Sequence, residues 1–181
     1  MKRTQNVPTD STPALAIIIG IIVAAACLRL LPHPPNFAPI VGMALFAGAI
    51  LADRRWALLV PLLAMIASDA ILGFHAQMWI VYLALGLCVG VGTLLRNRIG
   101  LTTVALGTLG ASITFFVVTN LGVWAASGLY PMTPEGLVAC FVAAIPFFQN
   151  ALAGDLTFAA LLFGGHAALT RFAPKLSANP A

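Results

Sequence analysis

Ile66-Ala67-Ser68-Asp69-Ala70-Ile71-Leu72-Gly73-Phe74-His75 sets an ionisable carboxylate inside an otherwise apolar run. On insertion scales a carboxylate deep in a bilayer costs about 2.5–3.5 kcal/mol unless another group pairs with it or water reaches it. The run extends back to residue 56, and its 18 residues match the length that a membrane-crossing helix needs. Asp69 therefore reads as a group whose cost must be met elsewhere in the chain.

The rest of the chain has the same character. Of its 181 residues 61% are hydrophobic and 8% charged, whereas a soluble domain carries about 25% charged residues. A soluble globule of this composition would have almost nothing to place on its surface. The class is an all-α polytopic membrane protein of one domain. The net charge of +4 needs no nucleic-acid partner, because cytoplasmic membrane loops collect basic residues in any case.

Six apolar segments, 14–31, 38–52, 56–73, 77–95, 100–126 and 137–170, are expected to form a six-helix bundle, with polar tails at 1–13 and 172–181. The first is too long for a secretory h-region and reads as an uncleaved helix. Between the first two, Pro32-His33-Pro34-Pro35-Asn36-Phe37-Ala38-Pro39 cannot be regular helix, since each proline removes a donor and restricts its predecessor. Pro146 predicts a kink or break, with 134–145 as a candidate half-span. Cys27, Cys88 and Cys140 are far apart in sequence, so neither a disulfide framework nor a zinc site is indicated.

Six spans put eight of the nine basic residues on one side, at the N-terminus, the 2–3 and 4–5 connectors and the C-terminus. Arg29 alone is left for the other side. By the positive-inside rule both termini are cytoplasmic. That orientation collects the polar side chains near the outer face, with Asp69, Asn120, Asn150 and Asp155 as candidate ligand contacts and Asn36, His75, Trp124 and Tyr130 at the rim. A channel needs polar groups at several depths, whereas a cup open outward needs them on one side only. The bland alternatives are structural hydrogen bonds for Asp69 and Asp155, helix capping for the asparagines, and interfacial belt positions for Trp124 and Tyr130. A metal site from His33, His75 and Asp69 lacks tight spacing. Ala16, Gly20 and Ala24, four residues apart, form a small-residue face for a helix within the bundle or for a partner protein. There is no nucleotide loop, nucleophile elbow or metalloprotease motif, so no enzyme and no cofactor is expected, and any ATP hydrolysis belongs to another chain.

Four segments, Asn36 to Gly48, Ser68 to His75, Val118 to Trp124 and Pro146 to Leu156, resemble an uncharacterised family of small bacterial integral membrane proteins. The similarity spans roughly residues 29–165. More distantly, that family is similar to the substrate-binding S components of energy-coupling factor (ECF) vitamin transporters. This resemblance implies a six-helix bundle that binds a vitamin or metal ion from outside. It also implies that the Ala16, Gly20 and Ala24 face docks on a membrane coupling protein with two ATPases. A related group of solitary transporters adds cobalamin as a candidate ligand. The competing expectation is a structural or assembly subunit whose buried carboxylates hold helices together.

Overall fold

A computed structural model describes residues 12–172. Six helices account for nearly all of them: α1 (Thr12–Leu28), α2 (Ile40–Ile50), α3 (Arg54–Leu72), α4 (Met78–Leu94), α5 (Leu101–Ala126) and α6 (Pro134–Phe172). They fall on the six expected segments, no end differing by more than three residues. The basic residues of both tails, Lys2, Arg3 and Lys175, lie outside the described residues.

Three helices, α3, α5 and α6, are long and apolar enough to cross a membrane, while α1, α2 and α4 are shorter apolar helices. The outward faces of α5 and α6 are apolar too, with Leu106, Val138 and Leu161 each about 60% exposed. A patch of that extent is a liability in water and a lateral surface in lipid.

Contacts along the helices set their directions. α4 and α5 are antiparallel, with Ile80 against Gly122 and Leu95 against Gly107. So are α5 and α6, where Ser112 meets Asp155 and Phe116 meets Phe141 and Phe148. α2 runs with α6, through Gly42 on Phe158 and Phe46 on Phe163. The bundle therefore alternates up and down, and the α1–α2, α3–α4 and α5–α6 connectors share one end.

At the centre stands α2, with every residue from Val41 to Ile50 buried. Its 11 residues rise about 16 Å, half the thickness of a bilayer core. Two features hold so short a helix in place. Gly48 and Gly92 bring the backbones of α2 and α4 together so closely that a Cβ on Gly48 would sit 2.1 Å from the Val89 carbonyl oxygen. At the C-terminal end of α2, Arg96 donates from Nε to the Gly48 carbonyl at 2.8 Å and from Nη1 to the Ala52 carbonyl at 2.9 Å. A cation there satisfies carbonyls that a helix leaves unpaired and suits the negative end of its dipole.

The remaining height above α2 is filled by the proline-rich connector. The Phe37 N–H donates to the Pro34 carbonyl at 3.0 Å, and Asn36 takes φ 62°. Pro35 followed by a residue at positive φ is the pattern of a type II turn. Phe37 then lies on α6, its Cα 3.0 Å from where a Gly154 Cβ would be.

Pro146 does not divide the last segment. α6 is a single helix of 39 residues with Pro146 inside it, so 134–145 is not a separate half-span. A proline costs a helix one hydrogen bond and one clash, which packing against neighbouring helices offsets. Here α5 lines α6 on both sides of Pro146, with Phe116 touching both Phe141 and Phe148.

Candidate ligand-binding site

The two buried carboxylates lie in different parts of the bundle and in different company. Asp69, near the end of α3, forms a salt bridge with Arg29 just beyond α1 and accepts a hydrogen bond from the Tyr82 hydroxyl of α4 at 2.9 Å. Arg29 also donates to the Ser68 hydroxyl at 2.7 Å, which in turn donates to the Met65 carbonyl at 2.9 Å. Three helices are tied at one level by charge-assisted bonds, the strong kind.

Asp155, in the middle of α6, is 4% exposed. Its Oδ2 accepts from the Ser112 hydroxyl of α5 at 2.7 Å. Ser112 in turn lies 2.9 Å from the Thr108 carbonyl one turn back. This pair forms the floor of a cleft of about 340 Å³ between α5 and α6. Asn120, eight residues along α5, lies about 12 Å nearer the connector end at the helical rise. There it lines the cleft together with Asn36 of the connector and Thr119. Asn120 Nδ2 is committed to the Phe116 carbonyl at 2.8 Å. Phe115, Phe116, Phe147 and Phe148 supply apolar walls. A few placed polar groups among apolar walls are the composition of a small-molecule site.

A larger groove of about 400 Å³ lies between α1 and α3, from Trp56 to Ile71, and Cys27 opens into it. Among the described residues that line it, the one polar side chain apart from the Trp56 indole and the Cys27 thiol is Ser68, already bonded to Met65 and Arg29. It offers nothing to orient a polar ligand.

Of the residues expected at the site, the structure brings Asn36, Asn120 and Asp155 to one cleft. It separates Asp69 from them. The expected cup had Asp69 as one wall beside α5 and α6, but Arg29 and Tyr82 hold its carboxylate toward α1 and α4. Four more expected residues do not line the cleft. His75 is exposed in the α3–α4 connector, Asn150 is exposed on α6, and Tyr130 is half-buried in the α5–α6 connector. Trp124 donates from Nε1 to the Pro131 carbonyl at 3.0 Å, pinning that same connector. Among the described residues, no group of three or more His, Cys, Asp and Glu could hold a metal ion. Cys88 and Cys140 are buried, and their thiols reach the Ala111 and Asn120 carbonyls.

Sequence reasoning missed Arg29, Tyr82 and Ser112. For Arg29 the signal was present, since it is the one basic residue left on the side where Asp69 needed a partner. For Ser112 it was a polar stripe, Thr108, Ser112, Thr119 and Asn120, at spacings that share a helix face. Tyr82 carried no signal beyond its position one turn into α4.

The match to a family model covers residues 9–176. The chain belongs to DUF6580, a family of unknown function. No curated protein and no solved structure matches the chain. In this DUF6580 member the cleft and the exposed surfaces of the helices are the features open to a ligand or a partner.

Proposed function

We propose that this DUF6580 protein is a six-span protein of the bacterial cytoplasmic membrane, both termini inside, that captures a small molecule at its outer face for uptake. The observation that carries this reading is the α5–α6 cleft, where Asp155 and Ser112 form a polar floor beneath Asn36 and Asn120, between phenylalanine walls. The cleft reaches the bundle end that carries the α1–α2 and α5–α6 connectors, and of nine basic residues only Arg29 falls in those odd-numbered connectors. That end is the outer one by charge bias. A volume of about 340 Å³ is at the small end of ligand pockets, which favours a vitamin-sized ligand over a corrinoid such as cobalamin.

A partner that drives release is supported by the surface of α1. Ile18, Ile22, Ala25 and Ala26 are buried in the core, whereas Ala16, Gly20 and Ala24 are exposed, and among the described residues no other element comes within 4 Å of a Cβ added to Gly20. A small-residue stripe turned outward suits close helix approach by another membrane protein. In the proposal this is a coupling protein of the ECF type with its ATPases.

The test is a binding screen of the purified protein in lipid nanodiscs against vitamins and related small molecules. At least one ligand should bind saturably and lose its affinity in Asp155→Ala. No binder, or one indifferent to Asp155→Ala and to Asn36→Gly, would remove the cleft from the mechanism. The second reading, a structural subunit without a ligand, is favoured by the Arg29–Asp69–Tyr82 network, which needs no ligand to account for it.

A further inference from the structure

Two buried carboxylates in one apolar bundle face the same electrostatic cost, and the chain meets it in only one case. Asp69 has Arg29 as its countercharge. Asp155 has the Ser112 hydroxyl, and among the described residues no Lys, Arg or His lines the cleft onto which it faces. Among the described residues no salt bridge reaches Asp155. An ionised carboxylate shielded from water is unfavourable until a positive charge neutralises it or it takes up a proton, and a cation in the cleft favours the ionised form.

The walls have the same electrostatic preference. Phe115, Phe116, Phe147 and Phe148 all line the cleft, and the rings of Phe116 and Phe148 lie 4.8 Å apart at 50°. Aromatic faces carry the negative end of a quadrupole and attract cations. Carboxylate and rings together favour a cation and disfavour an anion. The cation is not a hard metal ion, which takes six or more oxygen ligands, because the floor offers one carboxylate and the Ser112 hydroxyl, and Asn120 lies about 12 Å further along α5, too far to help replace a hydration shell. A weakly hydrated organic cation loses little on entering.

We propose that the cleft selects an organic cation with an aromatic or otherwise apolar body, its positive charge against Asp155 and its body against Phe116 and Phe148. This rests on the reading of the cleft as the ligand site. Such a ligand enters charge first, and a polar substituent at its other end meets Asn36 and Asn120.

The experiment uses the full chain in nanodiscs, with protein-free nanodiscs subtracted, and three probes of similar shape: N-benzylpyridinium (cation), 4-benzylpyridine (uncharged in mildly alkaline buffer) and 4-benzylbenzoate (anion). The cation should bind saturably and at least about tenfold more tightly than either analogue. Asp155→Asn, which keeps a partner for Ser112, should cut cation affinity about tenfold and leave the uncharged probe unchanged. Phe148→Leu should weaken the cation severalfold, and Ala151→Trp, which fills the cleft, should abolish all binding. A cation that binds no better than its analogues, or that ignores Asp155→Asn, overturns the proposal. If an uncharged or anionic probe binds instead and is displaced by Ala151→Trp, the ligand class is wrong and the cleft reading stands. If no probe of any charge binds in a way sensitive to Ala151→Trp, both fail.

Discussion

At the residue scale, the two carboxylates predict opposite phenotypes. Removing Asp69 leaves Arg29 part-buried without its anion, and breaking a buried pair from one side costs about 3–5 kcal/mol. Asp69→Ala should therefore lower thermal stability in detergent by several degrees while the affinity of any cleft ligand stays unchanged. Tyr82→Phe, which removes one hydrogen bond, should cost about 1–1.5 kcal/mol in the same assay. Equal loss of ligand affinity in Asp69→Ala and Asp155→Ala would return Asp69 to the binding site. Asn36 allows a cleaner separation, because its backbone and side chain have different roles. Its φ of 62° is open to glycine without strain, whereas a β-branched residue there is strained by about 1–2 kcal/mol. Asn36→Gly should keep the turn and the melting temperature but weaken ligand binding, and Asn36→Val should lower both. Asn36 was legible in the sequence because the prolines break the helix around it and the charge bias puts that connector at the outer end. Arg29 was marked in the sequence only by its side of the membrane, and its pairing with Asp69 was not legible, because a turn and a helix end had to be folded before its side chain could be placed there.

At the scale of the element, the short α2 is the part most exposed to substitution. Its contact with α4 is backbone on backbone at Gly48 and Gly92, so Gly48→Ala must push the two helices apart and should cost about 3 kcal/mol or more. Gly20→Ala has open space around it, and the better helix propensity of alanine should leave the protein unchanged or more stable by up to about 1 kcal/mol. Circular-dichroism melts of the two variants side by side check this contrast, and equal effects would contradict the close approach of α2 and α4. Arg96→Met should cost about 2 kcal/mol by leaving the Gly48 and Ala52 carbonyls without their donor. Arg96 Nη2 is itself buried without a partner among the described residues, and nothing in the structure explains that. Helix positions were legible because apolar runs and proline breaks are local signals. The continuity of α6 through Pro146 was not, since the proline rule is local and the packing of α5 across that proline is tertiary.

At the scale of the molecule, the proposed topology of six spans with both termini inside makes a prediction that does not depend on any ligand. With Cys27, Cys88 and Cys140 replaced, a single cysteine at Leu129 should react with a membrane-impermeant maleimide on intact cells, and one at Arg98 only after permeabilisation. The reverse pattern would invert the orientation and place the cleft on the cytoplasmic side. The exposed stripe on α1 makes a second prediction at this scale. Gly20→Leu should leave the isolated protein's stability and cleft binding intact but abolish uptake in cells, if a partner docks there.

The sequence by itself determined the class of molecule, the number and ends of its helices and the charge bias of its connectors. Each of these depends on composition, hydropathy and the local chemistry of proline and glycine, which act over a few residues. It also named three residues, Asn36, Asn120 and Asp155, that come to share a cleft. Only the tertiary structure decided which carboxylate faces that cleft and which is closed off. Asp69 and Asp155 look alike in sequence, each a lone acid in an apolar run, and the difference between them is whether another helix delivers a cation. Arg29 is 40 residues from Asp69 along the chain, and that distance is closed by packing, which no local pattern encodes.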